Sequence, residues 1–461
     1  MSIIMVLVKT CDPNNCSSTI HTLNMQLRFS LFIILLTSIT IISCKSGTVN
    51  LFKAASPHEQ YRRKLETAGL DKTAMGSAWI AASSNSLQKA LNINIPYRET
   101  GYFDAGKVPA AAYRFSATKG QKITIGLIKK PTTTALYLDL WELNDVNNPK
   151  RIASADTLNR PIQYEIDVTG NYLIRLQPEL LQSVEYTLEI TLGPSLAFPT
   201  QSKTKSIGSY WGDGRDNNAR KHEGVDIFGS FRSPVVASAG GTVTRVNENN
   251  LGGKVVWLKP NGKDYTLYYA HLDEQIAVEG QEVKLGDTLG LMGNTGNART
   301  TPTHLHFGIY TFGGAINPLP FIDPVTKTPG KINASVSNLN KTLRTTGKVN
   351  LYSLPQNKST PITNLTAGTI VNISSATGNF YKAELPDGIT GFINSSELAQ
   401  TSKPLQRFKI KAAQQKVFDQ PDSLAAVKLN LRTGETVEVL GNFNNYQLIS
   451  NETAQVGWIV K

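Results

Sequence analysis

Three short stretches, His222-Glu-Gly-Val-Asp226, Tyr269-Ala-His271-Leu272 and Thr303-His304-Leu-His306-Phe307, contain four of the six histidines of this 461-residue chain. The first stretch offers an imidazole and a carboxylate, both of which are suitable zinc ligands. In the third, two histidines stand two residues apart, so on a strand both imidazoles point to one face. Three protein ligands and one open coordination position are typical of a catalytic zinc site. The sequence therefore predicts one zinc ion per chain.

Three further stretches accompany these histidines: Pro234-Val-Val-Ala-Ser-Ala-Gly-Gly-Thr-Val243, Gly280-Gln-Glu-Val-Lys-Leu-Gly-Asp-Thr-Leu-Gly290 and Gly293-Asn-Thr-Gly296. With them, the segment from about Ser206 to Ile322 resembles the lysostaphin/LytM-type zinc metallopeptidases, which cut peptide bonds in bacterial cell walls. The resemblance implies an antiparallel β peptidase domain. One position departs from it, because Gly308 stands where many members of that family have a glutamate.

The resemblance also implies roles for the histidines and the aspartate. It makes His222, Asp226 and His306 the zinc ligands and leaves His271 and His304 as catalytic histidines beside the bound water. Spacing alone does not decide whether His304 or His306 holds the metal. The sequence also leaves open which catalytic histidine transfers the proton and which stabilises the oxyanion.

The residue types predict hydrolysis of peptide bonds. Zinc lowers the pKa of its bound water and polarises a carbonyl group. A neighbouring imidazole that takes up and returns a proton adds about 10²- to 10⁴-fold to the rate. We therefore expect a zinc metalloendopeptidase, a peptidoglycan hydrolase that cuts peptide cross-links at the cell envelope. Two alternatives stay open: a catalytically inactive activator of another wall hydrolase, and an envelope scaffold or binding protein.

The net charge and the distribution of basic residues indicate which partners to expect. The formal net charge is +12, but the basic residues are scattered, and the longest clusters are Arg62-Arg63-Lys64 and Lys129-Lys130. No basic stripe or nucleic-acid-binding motif accompanies them, so we expect no nucleic-acid partner. A basic protein that works near anionic wall or membrane polymers is the better interpretation. Peptidoglycan peptides and other envelope proteins are the expected partners.

The cysteines and the apolar stretch before Cys44 predict an envelope location. Cys11, Cys16 and Cys44 are the three cysteines of the chain, so the part after Cys44 holds neither a disulfide framework nor a thiolate zinc site. A basic start at Met25-Gln-Leu-Arg28, an apolar run over 29–42 and a small residue before Cys44 are the parts of a signal peptide.

The end of this signal resembles a bacterial lipoprotein processing site, Ile41-Ile42-Ser43-Cys44. The resemblance implies that Cys44 is lipidated and that cleavage occurs before it. Residues 1–24 show no targeting features and would make the signal too long, so we expect translation to start at Met25. The alternative is a transmembrane anchor, but the apolar run is shorter than the roughly 20 residues that a spanning helix needs. We therefore expect a membrane-anchored lipoprotein that faces the periplasm or the cell exterior.

The region between the signal and the histidine motifs contains two kinds of pattern. Ser56-Pro-His58-Glu59 forms a capping box that predicts a helix start, and a second helix is expected up to about Leu91. We interpret His58 as a structural residue of this cap. From about Ile95 to Leu192, short alternating strands predict an antiparallel sandwich that resembles the jelly-roll accessory domains of secreted peptidases.

The C-terminal part contains a repeat. Pro355, Gly368 and Gly391 recur 66 positions later as Pro421, Gly434 and Gly457. Each copy resembles a bacterial SH3-like domain, a small barrel often attached to wall hydrolases, which implies wall or peptide binding. The alternative is a structural appendage.

These patterns predict a mainly β chain with a short helical N-terminal segment. We expect a signal region at 1–44, a tether with short helices at 45–94, a β-sandwich at 95–195 and the antiparallel β peptidase domain at 200–323. A linker at 324–346 precedes two small SH3-like barrels, at 347–400 and 405–461.

Overall fold

The computed structural model describes residues 55–143, 149–156, 160–201, 206–215 and 217–461. The predicted signal region, with Cys44 and the expected start at Met25, lies outside the described residues. In the described part of the chain, no helix has the length and apolar character needed to span a membrane. The fold class is mainly β, as predicted, with antiparallel sheets and short N-terminal helices.

Two helices precede the first sheet: α1 (Pro57–Thr67) and α2 (Ala74–Gln88), joined by a 3₁₀ turn at Leu70–Lys72. The predicted cap is confirmed, because Oγ of Ser56 accepts a hydrogen bond from the backbone N–H of Glu59 at 3.2 Å. His58 is buried; its Nε2 lies 2.7 Å from Oε1 of Gln177, and its ring stacks on Trp79 with centroids 4.6 Å apart. These contacts attach α1 to α2, through Trp79, and to β8, through Gln177.

Nine strands form the predicted sandwich: β1 (Leu91–Asn92), β2 (Tyr97–Phe103), β3 (Ala111–Ala117), β4 (Gln121–Lys130), β5 (Leu136–Leu143), β6 (Lys150–Ser154), β7 (Ile162–Glu165), β8 (Gly170–Pro178) and β9 (Val184–Pro194). One sheet has the order β1-β3-β8-β5-β6, and the other contains β2-β9-β4-β7. The apolar side chains that alternate along these strands meet in one core. After β7 ends at Glu165, the carbonyl oxygen of Val168 accepts a hydrogen bond from the Tyr172 hydroxyl at 2.6 Å in the turn before β8.

The histidine motifs lie in a ten-stranded antiparallel sheet. Its strands, with the separate hairpin β11-β12, are β10 (Ser206–Ser209), β11 (Gly214–Arg215), β12 (Arg220–Lys221), β13 (Val225–Phe228), β14 (Pro234–Val236), β15 (Gly241–Asn249), β16 (Gly253–Pro260), β17 (Thr266–Gln275), β18 (Glu282–Val283), β19 (Thr288–Met292), β20 (His304–Thr311) and β21 (Gly314–Ile316). The main path is β10-β13-β20-β17-β16-β15-β18. A 3₁₀ turn at Gly296–Ala298 and α3 (Leu319–Ile322) complete this region.

The C-terminal strands repeat with the displacement that the sequence predicts. They are β22 (Thr342–Thr345), β23 (Val349–Tyr352), β24 (Pro361–Leu365), β25 (Ile370–Thr377), β26 (Phe380–Glu384), β27 (Thr390–Asn394), β28 (Leu398–Gln400), β29 (Gln406–Lys409), β30 (Gln414–Phe418), β31 (Val427–Arg432), β32 (Thr436–Phe443), β33 (Tyr446–Asn451) and β34 (Val456–Val460). Strands β25 and β27 reappear 66 positions later as β32 and β34 with the same lengths. The register irregularity between Ile373 and Ser375 recurs between Val439 and Gly441.

The two copies of the repeat are residues 347–400 (first copy) and 405–461 (second copy). Each copy pairs with an earlier part of the chain through the same position of the repeat. In the first copy, Ala376 on β25 pairs with Thr100 on β2, so the first copy continues a sheet of the sandwich. In the second copy, the equivalent residue Asn442 pairs with Thr369 of the first. Residues 342–345, inside the predicted linker, form β22 and pair with β25. Strand pairing therefore connects the sandwich, the first copy and the second copy in series.

Candidate active site

Strand pairing brings the predicted site residues to one face of the ten-stranded sheet. On the antiparallel pair β13 and β20, Asp226 lies directly opposite His306, and Phe228 lies opposite His304. Directly paired residues share a face, and so do residues two apart on a strand. The side chains between them point the other way into a core where they are fully buried: Val225, Ile227, Leu305 and Phe307. The alternating pattern therefore separates a polar site face from an apolar core face.

Three potential ligand atoms converge on this face. Nε2 of His222 and Nδ1 of His306 each lie 3.0 Å from Oδ1 of Asp226, and the two nitrogens are 2.9 Å apart. These are the three residues for which the sequence resemblance implies zinc binding, and in the described chain they form a group whose ligand atoms lie within 4.8 Å of one another. Two imidazoles and one carboxylate form a donor set that suits zinc. The residues present therefore fit the ion that the fold implies.

The partners of His222 fix which of its ring nitrogens is free to bind a metal. Nδ1 lies 2.9 Å from the carbonyl oxygen of Tyr210. Because a carbonyl oxygen only accepts, Nδ1 carries the proton and donates it, and the lone pair remains on Nε2. Nε2 is the nitrogen that faces Asp226 and His306.

Electrostatics keep the Asp226 carboxylate ionised. Burial raises the pKa of Asp226, but hydrogen bonds and charge from the rings of His222 and His306 in their protonated forms outweigh burial and hold the pKa below its usual value. Burial lowers the pKa of His306, which favours the neutral imidazole. A neutral imidazole and an ionised carboxylate are the forms that bind a cation.

His271 reaches the site through an unusual backbone conformation. Its neighbour Ala270 pairs with His306, so regular alternation along β17 would direct His271 to the opposite face. Instead His271 has φ of 62°, and its backbone N–H donates to the carbonyl oxygen of Gly252 at 2.7 Å. Such a φ costs a non-glycine residue about 1 kcal/mol or more. The strain brings the ring to 4.9 Å from the His304 ring and 5.9 Å from that of His306, measured between centroids.

His271 and His304 are held in the same tautomer. Nδ1 of His271 lies 2.8 Å from the carbonyl oxygen of Thr295, and Nδ1 of His304 lies 2.8 Å from that of Pro302. Both rings therefore donate from Nδ1 and keep a lone pair on Nε2. Burial, followed by the charges of His304 and His306, lowers the pKa of His271 to about 4, so the ring is neutral at physiological pH. Either Nε2 can accept a proton.

Arg215 is a site residue that the sequence analysis missed. On the hairpin β11-β12, its Nη2 donates to Oδ2 of Asp226 at 2.8 Å and to Oγ of Ser209 at 2.7 Å. The strand that contains Arg215 has two residues, which is too short for an alternating pattern, so the sequence does not indicate that Arg215 belongs to the site. The contact depends on how the hairpin folds over β13, which only the tertiary structure shows.

At two positions near the site, neighbouring atoms come so close to the backbone that only glycine fits. A Cβ on Gly224 would lie 2.7 Å from Nε2 of His306 and 2.6 Å from the carbonyl oxygen of Phe307. Gly296 has φ of 69°, and a Cβ there would lie 2.3 Å from the backbone nitrogen of Gly253. The second approach packs the loop that contains Thr295 against the start of β16, and Thr295 supplies the carbonyl that His271 needs.

The ligand group lies at the base of a cleft of ≈ 640 Å³. Trp257, Tyr268 and Tyr310 form an aromatic wall, with the Trp257 and Tyr268 ring centroids 4.3 Å apart. Arg220 and Lys221, on the β11-β12 hairpin, also line the cleft. The cleft therefore combines aromatic surface, cationic groups and the histidine cluster, which suits a peptide with polar groups.

Comparison with known proteins identifies two domains. Residues 220–318 match peptidase family M23, and residues 347–399 match the bacterial SH3 domain. The chain thus contains a peptidase M23 domain and a bacterial SH3 domain, which confirms the family resemblance found in the sequence. Peptidases of family M23 are zinc-dependent.

Several curated relatives match part of the chain. An uncharacterized metalloprotease of Haemophilus influenzae is 35% identical over 153 residues, which cover 32% of this chain and 30% of the relative. The murein hydrolase activator NlpD of Escherichia coli is 38% identical over 102 residues (22% and 26%), and an L-Ala--D-Glu endopeptidase of Bacillus subtilis is 35% identical over 127 residues (26% and 39%). The chain thus spans roughly a third of the length of these relatives.

Two solved structures are similar to part of the chain. The catalytic domain of lysostaphin from Staphylococcus simulans is 29% identical, with a TM-score of 0.24, and the match covers 26% of this chain and 92% of that domain. LytU is 34% identical, with a TM-score of 0.25 and coverage of 27% and 88%.

Proposed function

We propose, on the premise that residues 220–318 form a peptidase M23 domain, that this chain is a zinc-dependent endopeptidase that hydrolyses peptide cross-links of peptidoglycan. The observation that supports it most is the convergence of His222, Asp226 and His306 beside His271 and His304. A protein that only bound the wall would have no need for an ionised carboxylate and four imidazoles at the base of one cleft. The proposed metal content is one zinc ion per chain.

Zinc would be held by Nε2 of His222, Oδ1 of Asp226 and Nδ1 of His306. When bound, the ion supplies a Lewis acid that polarises a peptide carbonyl and lowers the pKa of a coordinated water. The contact between Tyr210 and His222 keeps the nitrogen that would bind the metal unprotonated.

His271 and His304 would handle the proton in hydrolysis. Each donates Nδ1–H to a backbone carbonyl and presents an unprotonated Nε2. Such an imidazole can take a proton from the attacking water and return it to the amine that leaves when the C–N bond breaks. The second imidazole, next to it, would stabilise the developing negative charge by a hydrogen bond from Nε2 when that nitrogen is protonated. The aromatic wall would contact the apolar parts of the peptide and exclude water from the scissile bond.

An activator of another wall hydrolase is the second candidate. The similarity to the protein named murein hydrolase activator NlpD favours it. Against it stands the presence of all five site residues, since an inactive domain has no reason to keep both the metal ligands and the proton-transferring histidines. The third candidate, an envelope scaffold, leaves the same cluster unexplained.

Digestion of purified sacculi tests the proposal. Chain loaded with zinc should release soluble muropeptides, and mass spectrometry of the fragments identifies the bond that is cut. Chain stripped by a chelator should release none until zinc is restored. If the zinc-loaded chain is inert alone but increases the activity of an added wall hydrolase, the activator function is the correct one.

We also propose that the chain is a lipoprotein of the cell envelope, anchored through Cys44. A lipid chain would hold the protein at the membrane by its buried hydrocarbon. In membrane fractionation, Cys44→Ala should appear in the soluble fraction, whereas Cys16→Ala should sediment like the unchanged chain. Sedimentation of Cys44→Ala after a salt wash would contradict the proposal.

A further inference from the structure

A second cavity, of ≈ 380 Å³, lies where α2, the sandwich and the first copy meet. It shares no lining residue with the cleft of the M23 domain. Its volume falls in the range of about 300–1,000 Å³ that small-molecule sites occupy. Asn85 comes from α2, Val108 and Tyr113 from the sandwich, and Ile373 and Lys382 from the first copy. The cavity exists because the first copy is paired to the sandwich.

Lys382 is a buried cation at this cavity with one hydrogen-bond partner among the described side chains, Tyr113, whose ring centroid also lies 5.0 Å from Nζ. Its side chain is 6% exposed, and its Nζ donates to the hydroxyl oxygen of Tyr113 at 2.6 Å. An ammonium group has three N–H donors, and among the residues that the structure describes this is the one acceptor within hydrogen-bond distance. Nor does Lys382 form a salt bridge with any carboxylate in the described ranges. A buried charge in this state is costly unless an acceptor completes it.

The nearby buried carboxylate of Glu99 is satisfied without Lys382. It is fully buried and accepts hydrogen bonds of 2.7–2.9 Å from four hydroxyl groups, those of Tyr97, Tyr113, Tyr186 and Ser375. Because Tyr113 donates to Glu99, its oxygen lone pair is directed at Lys382. Glu99 therefore orients the lysine through Tyr113 and leaves its other two N–H donors open.

The rest of the lining indicates what kind of acceptor fits. The walls contain Val108, Pro109, Ala111 and Ile373, which are apolar and mostly small. Asp104, an anion at the same cavity, is already bonded to Nδ2 of Asn340 at 3.0 Å and to the backbone N–H of Gly106 at 2.8 Å. Lys89, Lys107 and Glu384 also line the cavity, so with Lys382 and Asp104 its lining holds three cationic and two anionic side chains. The excess of cations together with the small apolar walls suits a carboxylate with short apolar substituents.

We propose that this cavity binds the C-terminal carboxylate of a short peptide with small side chains, and that Lys382 donates to that carboxylate. The cavity has room for more than a lone anion, which favours a peptide end over a free small acid. The inference does not depend on the zinc site, so it holds whether or not the M23 domain is catalytic. It gives the first copy a ligand at its junction with the sandwich.

Calorimetric titration of the full chain tests the proposal, with N-acetyl-alanyl-alanine as the probe. The background is His306→Ala in chelator, so that no metal site can take up the carboxylate. We expect saturable binding of the free acid, and at least tenfold weaker binding of both its C-terminal amide and sodium acetate. Equal affinity for acid and amide, or no saturable binding at millimolar peptide, would overturn the proposal. Acetate that binds as tightly as the peptide would overturn the peptide as ligand.

Variants locate the site. Asn85→Trp places a large side chain at the cavity from an exposed position of α2 and should reduce affinity at least tenfold, while Ser84→Trp, at the exposed neighbouring position outside the lining, should bind like the unchanged chain. Lys382→Met should also abolish binding, but it alters the buried cluster at Glu99. The tryptophan pair keeps the test decisive if Lys382→Met fails to fold. Equal affinities of the two tryptophan variants would refute the location.

Discussion

Arg215 and Asp226 form an ion pair in which Nη2 lies 2.8 Å from Oδ2, while the other oxygen of the carboxylate, Oδ1, faces His222 and His306. The two oxygens of one carboxylate thus have different partners. Arg215 fixes the rotation of the carboxylate, so Oδ1 is held toward the proposed metal position. We interpret Arg215 as a positioning residue that acts through Asp226.

Arg215→Ala should therefore weaken zinc binding by about 10- to 100-fold, the usual effect of losing a residue that orients a ligand. Competition with a chelator of known affinity measures this. Arg215→Lys, which retains the charge, should recover part of the affinity, and Lys221→Ala, which removes a cation from the same cleft, should leave it unchanged. A similar loss in Lys221→Ala would mean that the general charge of the cleft, and not the contact with Asp226, governs metal binding.

Alanine variants of His304 and His306 should fail in different ways. His306→Ala removes a proposed ligand, so both zinc and turnover on sacculi should be lost. His304→Ala should keep zinc and its unfolding midpoint, while turnover falls by about 10²-fold or more, the scale for loss of a general acid–base. Metal analysis and muropeptide release measure the two effects. His304→Ala protein with full activity would refute the proton-transfer role.

His58 should make the stability of the chain depend on pH. Burial, then the charge of Arg175, lowers the pKa of His58 to about 4 from its usual value of 6.5, against weaker opposite effects from Gln177, Asp139 and Glu59. The unfolded chain therefore binds the proton more tightly between pH 6.5 and 4. Stability is fully present above pH 6.5 and declines as the pH falls through this window, by about 3 kcal/mol in all.

Urea unfolding at several pH values measures that decline. His58→Gln, which cannot titrate, should show a shallower loss of unfolding free energy between pH 6.5 and 4, and the difference between the two proteins isolates the contribution of His58. Parallel profiles would show that His58 is not the group responsible. Above pH 6.5 the two curves should run parallel.

Glu99 should be essential for the junction between the sandwich and the first copy. Glu99→Ala leaves the hydroxyls of three tyrosines and Ser375 without their acceptor in a buried place, at a cost of about 3 kcal/mol or more. Glu189→Ala is the matched control on β9, because the ion pair of Glu189 with Arg98 is about a third exposed and contributes less than about 1 kcal/mol. Denaturant unfolding distinguishes them, and equal losses would contradict this account.

Local pattern predicted which histidines the structure brings together with Asp226. His304 and His306 were placed on one face because alternation along a strand has period two, and Ser56 was identified as a helix cap because capping depends on neighbours in sequence. The displacement of 66 positions predicted the second set of strands, because two copies of one unit fold alike. The strand pattern of the sandwich was readable for the same reason.

Only the tertiary structure decided how these parts meet. The sequence gives no signal that φ at His271 is positive, because the conformation depends on contacts with Gly252, in the turn before β16, and Thr295, in the loop after β19. Arg215 reaches Asp226 through a hairpin of two-residue strands, which carry no periodicity. The pairing of Thr100 with Ala376, and the buried cluster of Glu99 and Lys382 beside it, join residues more than 250 positions apart. Such contacts depend on the packing of whole sheets, which a pattern of neighbouring residues does not encode.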